Sequence, residues 1–248
     1  MKTNQVLIYI KDKVSLKGLK SIRGHLGKVS ASVKKAFNSK PVQAFKVAVL
    51  AVGAAFVTSI VSAAKFNVQM ARVWSMAKGG IGTFQKLRKE ARNLSSEFGI
   101  ARESIAKGMY NALSAGIDKA NLESFMSTAA KVAVADGSDI SVAVDGITTV
   151  LNAFKLDAKE TENVTDKLFQ TVAQGKTTFN DLASTLSTVA PVAAASNIPL
   201  KEILAHTAQL TSQGTPTAQA MTQIRASILG LNKALGDGWA GNKTYQDT

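Results

Sequence analysis

Residues 175–229 read GKTTFNDLASTLSTVAPVAAASNIPLKEILAHTAQLTSQGTPTAQAMTQIRASIL. Polar caps alternate here with apolar residues at steps of three and four, the period of one helix face. Thr178 and Asp181 have capping-box spacing and open a predicted helix Phe179–Ala195. Pro199 stands at a first-turn position for a helix over 199–212, with Gly214 beyond its end. Thr215 and Pro216 start a last long helix that reaches Leu235, and Gly236 follows. Almost no side chain in the stretch offers a nucleophile, an acid, a base or a metal ligand. The predicted fold class is all-α, with helices burying alanine-rich sides against one another.

The same punctuation runs upstream to Gly108. Asn121 is the predicted N-cap of Leu122–Ala135, which Gly137 ends; Ser138 or Asp139 caps Ile140–Phe154. Asp157 with Glu160 opens 158–173, and Gly175 closes it. No segment alternates with period two for long enough to be a strand. Val142–Leu151 and Asn180–Val189 faintly echo each other, each after a glycine and a polar cap and each before another capped helix. The expected arrangement is two stacked helical hairpins.

The N-terminal part differs in charge. Of the net +13, residues 1–46 carry about +10, with eleven Lys/Arg against Asp12 alone. Residues 65–107 add +6, and residues 108–248 come to −3. A basic extension, 1–98, is therefore expected before a nearly neutral domain, 99–235, and a loop-like end, 236–248. Residues 5–10 read as a short strand or extended arm. Leu16, Leu19, Ile22, Leu26, Val29, Val33 and Phe37 then form a narrow apolar stripe, the start of a coiled coil or one amphipathic helix, up to Pro41. Val47–Ala64 has no charge over about 27 Å of helix, a length open to either a membrane-competent or a buried, self-associating helix. Its Ala51, Gly53, Ala54 and Ala55 suit close helix approach in both settings. Phe66, Met70, Val73, Trp74 and Ala77 resume helical spacing, and Gly79, Gly80 and Gly82 read as a hinge or turn. A basic helix from Phe84 to Phe98 follows, capped by Gly99. The short apolar run Val6–Ile10, followed by Lys11, Asp12 and Lys13, is no secretory signal.

Composition narrows the chemistry. The chain has no cysteine, which removes disulfides, thiolate metal sites and a cysteine nucleophile. AQGKTT at Ala173–Thr178 suggests a phosphate loop, yet that loop needs glycine where Gln170 stands and a strand where a helix is predicted. It reads instead as a helix stop and a new N-cap. The Gly79–Gly82 cluster lacks the spacing of a dinucleotide fingerprint. His25 and His206 have no second histidine or cysteine at metal spacing. Asp136, Asp139, Asp145, Asp157, Glu160 and Glu162 fall near predicted helix starts, where free N–H groups and the helix dipole favour carboxylates. No catalytic, cofactor-binding or metal site is predicted. The basic residues 1–46 suit DNA phosphates, an anionic bilayer or plain solubility, but with Arg23 as the one arginine and few aromatics they do not make a specific nucleic-acid reader.

Four segments carry a resemblance: ALSAGID (Ala112–Asp118), AAKVAVADGSDISVAVDGITTVLNAF (Ala129–Phe154), LFQTVAQGKTTFNDLASTLSTVAP (Leu168–Pro191) and LTSQGTPTAQAMTQIRASI (Leu210–Ile228). Together, over roughly Gly99–Leu235, they resemble the globular domain of phage tail tape measure proteins. The N-terminal layout, with its Ala/Lys/Phe-rich helix at Ala64–Met76, is also similar. The resemblance implies a non-enzymatic virion protein, made in the bacterial cytoplasm, that extends through the tail tube as multi-copy helical rods. Its length sets the number of tube rings, and it leaves ahead of the DNA and can enter the host envelope. Implied partners are the tail tube protein, tail assembly chaperones, baseplate or tail-tip proteins and further copies of itself. Members usually continue for hundreds of residues, whereas this chain stops at Thr248, so a fragment or a shortened gene is expected. Fully helical, it would reach about 370 Å. Two readings from other classes stand beside it: a membrane-active protein inserting residues 47–64, and a basic nucleic-acid-associated scaffold.

Overall fold

Capping chemistry sets the helix boundaries. Thr178 has extended backbone, and its hydroxyl accepts from the Asp181 N–H at 3.0 Å and donates to the Asp181 carboxylate at 2.8 Å. Asp139, rather than Ser138, accepts from the Ser141 N–H at 2.7 Å. Gly137 takes the left-handed φ of 70° that lets the chain leave a helix and start another shortly after.

A computed structural model describes residues 61–236. The predicted 5–10 arm, the 15–37 stripe, Pro41, all of Val47–Ala64 up to residue 60, and 237–248 lie outside the described residues. Within them there is no strand, and the helices are α1 (61–77), α2 (Ile81–Phe98), α3 (Arg102–Ser114), α4 (Leu122–Asp136), α5 (Ile140–Ala153), α6 (Thr161–Gln174), α7 (Phe179–Ala195), α8 (Leu200–Ser212) and α9 (Thr217–Leu235). The chain divides after Phe84 into two compact units.

In the first unit, Phe66, Met70, Val73, Trp74 and Ala77 of α1 are all buried, as their spacing predicts. The Trp74 indole N–H donates to the Gly79 carbonyl at 2.5 Å, and its ring lies 5.0 Å from that of Phe84. Gly79 and Gly80 form the turn, while Gly82 lies inside α2, which starts earlier than predicted, at Ile81. The clamp by Trp74 allows the new helix to begin directly after the turn.

In the second unit the helices stack in two rows. Each odd-numbered helix packs on the next odd one, α3 on α5, α5 on α7 and α7 on α9; α4, α6 and α8 form the second row. Burial follows position. Central α5 buries eight of its fourteen residues, whereas α9 buries five of nineteen. Four buried threonines return the hydroxyl to a carbonyl one turn back, which makes their burial tolerable. Thr148 bonds Val144, Thr171 bonds Lys167, Thr207 bonds Ile203 and Thr211 bonds Thr207, at 2.7–2.9 Å. Pro191 sits inside α7 on an exposed position, as does Ser187, whose carbonyl loses its donor.

Three predicted caps differ. Asn121 has helical backbone, φ −99° and ψ −2°, so its side chain makes no cap bond. Asp157 caps a short 3-10 turn, Ala158–Glu160, and α6 starts only at Thr161; Glu160 accepts from the Asn163 amide instead of reaching back. Pro199 precedes its helix, at the N-cap position.

Candidate functional site

What the stack assembles is a set of packing contacts between helix ends. Asp136 is the last residue of α4, not near a start of its own helix, and its Oδ1 accepts from the Phe179 backbone N–H at 3.1 Å. It thus serves the start of α7, 43 residues away. The Asn152 amide donates to the Ala115 carbonyl at 2.9 Å and ties the ends of α5 and α3. Thr177 and Thr217 hydroxyls meet at 2.7 Å where α7 and α9 begin. Asn232 donates to the Ser196 hydroxyl at 2.9 Å, joining the ends of α9 and α7. The ties to Phe179 N–H and Ala115 carbonyl satisfy backbone groups that helix ends leave open, and the other two join side chains.

Two glycines permit the closest approaches. A Cβ built on Gly146 of α5 would lie 2.5 Å from the Ala183 Cβ and 3.0 Å from its Cα. A Cβ on Gly175 would lie 2.5 Å from Thr211 Oγ1 and 3.0 Å from the Ala208 Cα. In AQGKTT, then, Gly175 lets the end of α6 meet α8, Thr178 caps α7, and Lys176 is exposed.

The remaining carboxylates have ordinary duties. Asp139 and Asp157 cap, and Glu162 lies in the first turn of α6. Asp145 is exposed on α5 beyond its first turn, so the helix-start reading does not apply to it. His206 Nδ1 lies 2.7 Å from the Glu202 carbonyl on the surface of α8, and His25 lies outside the described residues. No group of three metal-ligating side chains occurs among the described residues. No described helix is long and apolar enough to cross a membrane.

Among the described residues, the surroundings of two carboxylates push their pKa away from the ordinary range. The Ser141 hydroxyl and N–H beside Asp139 hold its pKa down, so its cap stabilises above the ordinary aspartate value and is lost as pH falls through the lowered one. Glu90 of α2 is buried; desolvation first, then the Glu123 charge, raise its pKa, while Lys86, 3.5 Å away, lowers it. Its protonated form is therefore favoured in the folded chain, and the stability it contributes is lost as pH rises through the raised value. Glu90→Gln should gain stability relative to the parent as pH rises from below the ordinary glutamate range to neutrality. Urea unfolding across that range measures it; a difference independent of pH would contradict it.

Sequence reasoning did not find Gly146, Asn152 or the Ser196–Asn232 pair. The small-residue positions Ala143, Gly146 and Ala183 were the available signal, but contact between them depends on a crossing that local pattern does not encode.

Comparison with known proteins fits this stack. Residues 88–247 match the family of phage-related minor tail proteins. The chain is 36% identical over 200 residues, 79% of its length, to a probable tape measure protein of Clostridium phage phiCD119, of which the match covers 21%. It is 25% identical over 169 residues, 68% of its length, to a tape measure protein of Pneumococcus phage Dp-1, of which the match covers 15%. The chain thus spans about a fifth or less of these curated relatives. No solved structure matches it significantly. With well over half of its residues matched, from the middle of α2 through α9, the chain belongs to the phage-related minor tail protein family.

Proposed function

We propose that this chain is the N-terminal part of a tail tape measure protein, a non-enzymatic component of the virion whose length sets tail length. The observation that carries the reading is the 36% identity to a probable tape measure protein over most of the chain. The physical basis is linear: a helix advances about 1.5 Å per residue, so chain length converts directly into tube length. The stack supports a structural role, since polar side chains tie its helix ends together.

In this reading residues 99–235 are the globular domain and residues 1–98 a basic helical extension. Partners are the tail tube protein, the tail assembly chaperones, baseplate or tip proteins and other copies of the chain. The protein is made in the bacterial cytoplasm, packed in the tail and expelled ahead of the DNA. Mass spectrometry of purified virions tests the placement. Peptides from α3–α9 should be present in intact particles and depleted after DNA ejection; equal recovery before and after would overturn it.

A further inference from the structure

The stack repeats one unit. Set on their first residues, Arg102, Ile140, Phe179 and Thr217, the odd-row helices bury matching places. The fourth residue is buried in all four helices (Ile105, Ala143, Leu182 and Ala220), and so are the fifth and the eighth. The sixth is exposed in all four. The even row starts at Leu122, Thr161 and Leu200, at equal intervals, and each of these residues is buried. Residues 102–235 are thus a series of equivalent steps of about 39 residues, the organisation of a stacked-repeat protein.

Each step is long in sequence and short in space. Odd-row neighbours lie side by side, so close at α5 and α7 that Gly146 has no room for a Cβ against Ala183. The axes of packed helices stand about 8–10 Å apart, so one step advances the stack by about 10 Å. As one continuous helix, about 39 residues would span about 58 Å.

The stack is built to stay folded. Helix α5 buries eight of its fourteen residues, about twice the share that a coiled-coil seam covers. Drawn out into a rod it would leave much of that surface wet. Thr177 and Thr217, whose hydroxyls meet at 2.7 Å, would stand about 60 Å apart along such a rod. Asp136 would lose the Phe179 N–H in the same way. The chain also reverses through left-handed backbone at Gly116, Gly137 and Gly214 and, with φ of 52° and 59°, at Lys155 and Asn197. The last two carry side chains, so the surrounding packing has to hold them there.

We infer that, within the tape measure function proposed above, α3–α9 stay folded in the assembled tail and do not measure it. The stack adds at most about 10 Å per step, and shortening in proportion to residue count belongs to deletions elsewhere in the encoding gene. In a phage that assembles this protein, residues 140–178 can be removed in frame. The cut joins Asp139 to Phe179, a polar N-cap to a buried first residue, as at both native helix starts. Electron microscopy should show tails shorter by no more than about 10 Å, against about 58 Å for an equal deletion elsewhere in the encoded protein. Shortening by about 58 Å in both would overturn the inference and leave the proposed function standing. Unchanged tails in both would instead sink the proposed function, and the inference with it. Should the shortened stack assemble no tails, a second variant decides. The chain has no cysteine, so Thr177→Cys with Thr217→Cys supplies two thiols that meet in the folded stack and lie far apart in a rod. Mild oxidation of purified virions should bridge positions 177 and 217, as in the isolated protein. A bridge in the isolated protein and none in the virion would show that the stack opens in the tail, against the inference.

Discussion

Phe179→Ala is expected to lower the unfolding free energy by about 3–5 kcal/mol, a large share of the roughly 5–15 kcal/mol that holds a typical domain together. The ring is fully buried and lies 5.5 Å from that of Phe169 on α6. The Phe179 backbone N–H is the one that Asp136 of α4 accepts from, so this residue of α7 touches two further helices of the stack, α4 and α6. Truncation removes apolar contact and leaves a cavity that rigid helix ends cannot close. Urea unfolding followed by helical circular dichroism should show a lower midpoint with an unchanged slope. A loss below about 1 kcal/mol, the size of an ordinary substitution, would show that the α6/α7 junction is loosely packed.

Gly146→Val should destabilise by about 1–3 kcal/mol or more through overpacking. Glycine inside a helix costs about 1 kcal/mol relative to alanine, so propensity alone predicts that Gly146→Ala stabilises. The geometry predicts the opposite. Even a single Cβ would press on the Cβ and Cα of Ala183, and a backbone contact cannot move aside as a flexible side chain would. The opposing change is informative too. Ala183→Gly should cost stability alone but recover part of the loss in the Gly146→Ala background, as expected for residues in direct contact. A stabilised Gly146→Ala protein would mean that α5 and α7 cross further apart than described.

Much of the helical layout was legible because its signals are local. Thr178 with Asp181, Gly137 and Gly236 mark boundaries through bonds and backbone angles that involve only their neighbours. The packing was legible in part. The echo between Val142–Leu151 and Asn180–Val189 reports the true step of the stack, since these segments belong to α5 and α7, consecutive odd-row helices that pack together. It is faint because Ala, Val, Leu and Ile can exchange within a helical core while volume and pattern are kept. The step therefore survives in helix starts more clearly than in residue identities. Long-range ties such as Asp136 to Phe179 were not legible: a carboxylate at the end of one helix gives no local sign that it serves another helix 43 residues away. Asp145 shows the reverse error, a carboxylate assigned to a helix start that lies beyond the first turn.

The functional reading turns on length, so tail length is the quantity to measure. In a phage that assembles this protein, whole helical turns would be deleted in frame from the encoding gene and the tails measured by electron microscopy. Tails should shorten in proportion, by about 1.5 Å for each residue removed. Tails of unchanged length across the deletion series would contradict the claim that this chain belongs to the part of the virion that measures its tail.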